Sequence, residues 1–266
     1  MLKLFMKFSI LIPLIIIPLL AEERSFFLKH TNDLIFGVDR DYSTGTEIGI
    51  KLGENCYSIL QDIYTPDQKQ TSHPIQGEHP YAGWLAIKAL HNYQFYGHPA
   101  YVALSLGTVG KRAKAKEVQR LFHQLIHNDE INGWDSQHPN QYGYILEFYN
   151  RYHTLYLDPF SHLSLGGVRQ YWELGIHKSY TSNLLGREVA YWGELSTQYV
   201  DKNIFLEEDR NGYKVEKKRF VSTIQLGIRT HLGDYEITIT TQLSSRDYQT
   251  QKLPYGEGSL MVAHPF

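Results

Sequence analysis

Apolar and polar residues alternate with period two over long stretches of this chain. In KRFVSTIQLGIRTHLG, Phe220, Ile224, Leu226, Ile228 and Leu232 share one face of an extended strand, while Thr223, Gln225, Arg229 and His231 share the other. After a Gly233-Asp234 turn the pattern returns in DYEITITTQLSS, which makes the two segments a hairpin. The same alternation appears at Thr46, Ile48, Ile50 and Leu52 against Glu47, Gly49, Lys51 and Gly53. It predicts strands over 26–37, 43–53, 56–65, 81–92, 100–110, 141–155, 159–168, 170–180, 187–200, 217–232, 234–246 and 257–266. Strands of ten residues or more that begin or end in Tyr and Trp exceed the roughly 5–6 residues usual in a soluble β-sandwich. An even count is what a closed bacterial barrel requires. The expected fold is therefore all-β: a transmembrane antiparallel β-barrel of 12 strands.

One segment breaks this period. Over 111–128, Val118, Leu121, Phe122, Leu125 and Ile126 recur at helical spacing, which predicts a short amphipathic helix in the loop between two strands. At the N-terminus, Lys3 and Lys7 precede an apolar run from Phe8 to Leu20, interrupted by Pro13 and Pro18 and closed by Ala21 before Glu22. That order predicts a signal peptide over 1–21 and a barrel with its active-site loops over 22–266, exported to the outer membrane of a Gram-negative bacterium. The chain ends SLMVAHPF; its terminal aromatic is similar to the last strand of outer-membrane barrels, from which His264 and Pro265 depart.

Mean hydropathy of −0.37 would suit a soluble protein, but only alternate barrel residues face lipid, so the average stays low. The 20 tyrosines and 14% aromatic content fit such a wall. Cys56 is the one cysteine, which excludes an intrachain disulfide. A net charge of −2 supplies no basic field for nucleic acid, and a monomer among outer-membrane lipids is the expectation.

Candidate chemistry lies in the loops and at strand ends. Gln119, His123 and His127 are spaced four apart and form one row on the expected helix, with Asp129 and Glu130 after it. A solvated polar edge would show the same spacing. Asn32-Asp33 interrupts the first strand, where a carboxylate at membrane depth or at the rim is a functional pointer.

Six motifs then resemble the outer-membrane lipid A 3′-O-deacylases: ND…DYSTG (Asn32 to Gly45), LQDIYTP (Leu60 to Pro66), HPYAGWL (His79 to Leu85), LGTVG (Leu106 to Gly110), EVQRLFH (Glu117 to His123) and Gly133-Trp134. The resemblance implies a 12-stranded barrel that hydrolyses an acyl ester of lipid A in lipopolysaccharide, with Ca2+ as cofactor. By the same resemblance His123 is the histidine that activates water and Gln119 its partner one turn earlier. Asn32 and Asp33 lie near calcium, Ser43 takes a hydroxyl position that is threonine in the family, and Asp129 stands where the family has a glutamate ligand. Lys69 matches the family's active-site lysine. Oxygen donors of this kind suit calcium, whereas zinc would have to use His123 and His127. Lys111 and Arg112 open the basic run KRAKAK, which could meet phosphates of the substrate or simply be solvated. Two alternatives stay open: an outer-membrane phospholipase, and a non-enzymatic pore or adhesin.

Overall fold

The computed structural model describes residues 23–33, 41–68, 71–125, 131–207 and 215–266. Twelve antiparallel strands follow one another around a closed barrel: β1 (Arg24–Asn32), β2 (Asp41–Leu52), β3 (Asn55–Thr65), β4 (Ala82–Phe95), β5 (His98–Val109), β6 (Gln141–Arg151), β7 (Asp158–Gly166), β8 (Arg169–Leu184), β9 (Arg187–Asn203), β10 (Phe220–Leu232), β11 (Tyr235–Ser244) and β12 (Tyr255–Pro265). β12 closes onto β1 with Ser25 opposite Pro265 and Asn32 opposite Gly258. Closure leaves no sheet edge, so every strand finds backbone partners on both sides, which the hydrocarbon interior demands. Among the described residues two α-helices, α1 (Ala115–Leu125) and α2 (Ile204–Glu207), lie in loops.

All twelve expected strands are present, and their ends differ for local reasons. β1 stops at Asn32 rather than at 37, with Asp33 in a bend and 34–40 outside the described residues. β6 ends at Arg151 because Asp158 accepts the Thr154 amide at 2.8 Å and the His153 ring at 3.1 Å, which turns the chain. β10 starts at Phe220, since Lys217 forms only an isolated bridge to Tyr248. The helix expected over 111–128 begins at Ala115, because Lys114 adopts a left-handed conformation (φ 58°) that closes a separate 3-10 turn over Gly110–Ala113.

Two-residue turns at 53–54, 96–97, 185–186 and 233–234 occupy one end of the barrel, together with the 152–157 connection. The long connections holding α1 and α2 occupy the other, which is the extracellular end in barrels of this class. Strand parity sorts the side chains. Leu28, Ile48, Ile59, Ile87, Leu226 and Leu260 stand exposed on the outer wall and form the belt that lipid covers. Tyr144 and Trp172 lie toward the loop end of this belt, and Tyr180, Tyr191 and Tyr235 toward the turn end.

Charges in the lumen meet partners. Lys88 lies 3.4 Å from Glu147, which holds His162 at 3.2 Å, and His162 lies 3.4 Å from Glu173. Toward the loop end the lumen is filled by Tyr64, Trp84, Val109, Val168 and, from α2, Phe205, whose ring stacks on Tyr64 at 4.4 Å. This filling is the opposite of what a wide pore would need.

Leu226 sits at the middle of β10 on the lipid side, so Leu226→Arg is expected to cost about 2–4 kcal/mol. Urea titration of the barrel folded in phospholipid vesicles measures it, and an unchanged midpoint would place Leu226 away from the hydrocarbon.

Candidate functional site

The site is built on the outside of the barrel wall. Ile59 and Ile87 face lipid, so by the period of two Gln61 and Ile63 of β3 and Gly83 of β4 face outward as well. These three receive α1. Gly83 permits the approach: a Cβ there would lie 2.4 Å from the Ala115 Cβ and 3.1 Å from that of Ala113. Gln61 donates its Nε2 to the Ala113 carbonyl at 2.5 Å, which fixes the turn that launches the helix. Ile63 is buried with Ala115, Tyr81 and Trp134. Farther along α1, the Phe122 ring lies 6.4 Å from His30, an outward residue of β1. Eleven residues of helix span about 16 Å, close to the roughly 14 Å of the three gaps from β4 to β1. α1 therefore crosses the outer faces of four strands near their extracellular ends.

This docking decides which side of the helix is covered. Gln119 (3% exposed) and His123 (9%) are buried, whereas Val118, Leu121 and Phe122 are exposed. The solvated-edge reading of the Gln119–His123 row fails, and the apolar stripe is the part left uncovered. Trp134 donates its indole N–H to Gln119 Oε1 at 2.9 Å. Since an indole only donates, it assigns the oxygen end of that amide. Trp134 is itself set by Gly133, which has φ +97° and where a Cβ would lie 2.7 Å from both the Thr71 carbonyl oxygen and the Tyr81 ring. Tyr81 packs on Trp134 with ring centres 5.1 Å apart.

The strand side of the site is polar where the belt below it is apolar. Phe26 and Leu28 place Asn32 on the outward row of β1. Asn32 donates its Nδ2 to the Ser43 carbonyl at 2.9 Å. Ser43 occupies a bulge: Tyr42 pairs with Tyr64 and Thr44 with Ile63, leaving Ser43 between them. Its hydroxyl hydrogen-bonds the hydroxyl of Thr65, on the outward row of β3, and both residues are buried. Asp33 follows Asn32 and is fully buried (0% exposed). Asn32, Ser43 and Thr65 thus share the outer wall with the face that α1 covers.

Among the described residues no cluster of three or more His, Cys, Asp and Glu side chains could hold a metal. Asp129, Lys69 and His127 lie outside the described residues. The strand-side groups that remain, the Asp33 carboxylate, the Asn32 amide, two hydroxyls and backbone carbonyls, are all oxygen donors. Such a set fits calcium and suits zinc poorly.

Above α1 a cleft of about 310 Å³ is lined by Gln119, His123, Lys116, Arg120, Ser72 and Trp134 among others. Lys111 and Arg112 are exposed on the 3-10 turn outside this cleft, with Arg112 over the Tyr142 ring at 5.1 Å. The cations lining the cleft are Lys116, the last residue of the basic run, and Arg120, one turn farther along the helix on the flank of the Gln119–His123 row. Lys116 lies 3.0 Å from Asp135, and its hydrogen bond and charge lower the pKa of that carboxyl. Glu117 is lowered too, by a backbone hydrogen bond and then by Lys114 at 3.2 Å, and as an acid in the first turn it offsets the neighbouring lysines. Trp134 was readable only as part of the Gly133-Trp134 motif, and Ser72 and Thr65 carried no signal of their own.

The family described as outer membrane protein LpxR matches residues 51–266. The match takes in α1 and all strands from β3 onward, and leaves Asn32, Asp33 and Ser43 before it. Among solved structures, LpxR from Salmonella typhimurium is similar with a TM-score of 0.79 and 17% identity, over 91% of this chain and 100% of that one. The β-domain of the Bordetella autotransporter BrkA gives a TM-score of 0.47 at 11% identity, over 92% of this chain and 97% of that one. No curated protein matches in sequence.

Trp134→Phe removes the donor and leaves Gln119 Oε1 buried, at a cost of about 1–3 kcal/mol. The expected outcome is faster amide hydrogen exchange across 115–125 with the strands unchanged; unaltered exchange in α1 would mean that this bond does not hold the helix.

Proposed function

This chain belongs to the LpxR family of outer-membrane proteins, and on that premise we propose that it is a lipid A 3′-O-deacylase, a carboxylic ester hydrolase that uses calcium. One observation carries the reading: a histidine and its glutamine neighbour are buried on the lipid-facing side of the wall, at its extracellular rim. A soluble substrate would be met in the lumen or on loop tips. An ester at the junction of sugar and acyl chain in the outer leaflet is met sideways, at this height, by a helix lying on the wall.

His123 takes a proton from water, which attacks the ester carbonyl, and returns it to the departing 3′ oxygen as the tetrahedral intermediate collapses. The products are the acyloxyacyl group as a free acid and lipid A with a 3′ hydroxyl. Gln119, locked by Trp134, orients the histidine. Asn32 and Ser43 supply hydrogen-bonding groups from the strand side of the site, and Lys116 and Arg120 meet anionic groups of lipopolysaccharide in the cleft. Lys69 and Asp129 complete the set from segments outside the described residues. Calcium, held by Asp33, Asn32 and Asp129, would supply positive charge where the oxyanion develops.

Mass spectrometry of lipid A from cells expressing the protein is the test. His123→Ala is expected to cut deacylation about 10²–10⁴-fold while the barrel folds normally. Chelation of calcium is expected to stop the intact protein, and restored calcium to revive it. Lipid A left whole while phospholipids lose acyl chains would transfer the site to a phospholipase.

A further inference from the structure

The exposed stripe of α1 is unusual for a helix packed on a protein. Val118, Leu121 and Phe122 are 43%, 60% and 43% exposed, while the helix's buried contacts are made by Ala115, Gln119 and His123. At about 100° per residue, the stripe lies roughly a quarter of a turn or more from the face that meets the wall. It is thus aimed along the wall, either toward the membrane or away from it.

Two observations choose the direction. Phe122 lies over His30, which is two residues nearer the periplasmic end of β1 than Asn32. On the other flank, Lys116, Arg120 and Gln124 line the open cleft with Asn132 and Asp135 from the loop. The apolar flank therefore looks down, toward the belt of Leu28, Ile48, Ile59 and Ile87, and the basic flank looks up. The exposed basic side chains of Lys111, Arg112 and Lys114 lie just before the helix. An apolar flank below and a basic flank above are the pattern of a helix lying in a bilayer interface, with cations level with anionic headgroups.

We propose that α1 is an interfacial membrane anchor: Val118, Leu121 and Phe122 enter the acyl-chain layer of the outer leaflet, continuous with the lipid belt of the barrel. The occupant of this face is hydrocarbon of the surrounding leaflet. Its insertion sets the height at which Gln119 and His123 stand relative to the bilayer. The proposal does not depend on hydrolysis and holds for any chemistry at that row.

Site-directed nitroxides test it. In a Cys56→Ser background, Val118→Cys, Leu121→Cys and Arg120→Cys are each spin-labelled, and the barrel is reconstituted in vesicles of phosphatidylcholine and phosphatidylglycerol. Accessibility to oxygen and to a water-soluble nickel chelate gives the depth of each label. Labels at 118 and 121 are expected about 5–10 Å below the headgroup boundary, rich in oxygen and shielded from nickel, with the label at 120 in water. If 118 and 121 meet nickel as freely as 120 does, the stripe is not in the membrane and the proposal falls. Because the two apolar positions are labelled separately, loss of one variant to misfolding leaves the other to decide.

Discussion

A strand wall in lipid must close on itself and turn apolar side chains outward, because the hydrocarbon offers backbone and polar side chains nothing to bond with. Nearly everything in this protein follows from that constraint. The belt from Leu28 through Ile87 to Leu226 satisfies it, and the lumen is free to carry ions such as Lys88, Glu147 and Glu173, which it neutralises among themselves. The outer wall turns polar at the rim of β1 to β3, where Asn32 and Thr65 occupy outward rows and Ser43 the bulge between them. Polar groups can stand there because they bond to one another, Asn32 to the Ser43 carbonyl and Ser43 to the Thr65 hydroxyl. The helix docked on the same outer wall carries the buried pair Gln119 and His123.

Small residues let this happen. Gly83, Ala113 and Ala115 bring the helix backbone close to the wall, and larger residues on either element would lift it off. Trp134 and Tyr81 then close the roof from the loop side. The left-handed conformation that only a glycine adopts freely at 133 has a visible use, since it turns the indole toward Gln119.

The strands were legible because a barrel wall writes its two faces directly into alternate residues; the hairpin of β10 and β11 could be read almost residue by residue. Strand ends were less legible, since they depend on contacts such as Asp158 with Thr154 that no period reveals. The helix was visible as a period, and the Gln119–His123 row as a spacing. Which side of it would be buried was not legible, because the usual rule that apolar residues pack inward assumes water outside. At a membrane rim the surroundings are themselves apolar, so the polar row can turn to the protein and the apolar stripe to lipid. The basic run opened with Lys111 and Arg112, which stand outside the cleft, and only its last residue, Lys116, lines it together with Arg120. Asn32 and Asp33 stood out as a polar interruption of a strand pattern and Ser43 only through the family resemblance, and the bulge that brings Ser43 to Thr65 needed the paired register to be seen.

The central claim is that the reaction takes place on the outer wall beneath α1 and not in the lumen. The most direct measurement compares lipid A deacylation by two equally folded barrels, Gly83→Val, which forces the helix from the wall, and Glu147→Gln, which disturbs the luminal network. The account expects Gly83→Val to lose deacylation and Glu147→Gln to keep it. Activity that survives in Gly83→Val and disappears in Glu147→Gln would contradict it and move the active site inside the barrel.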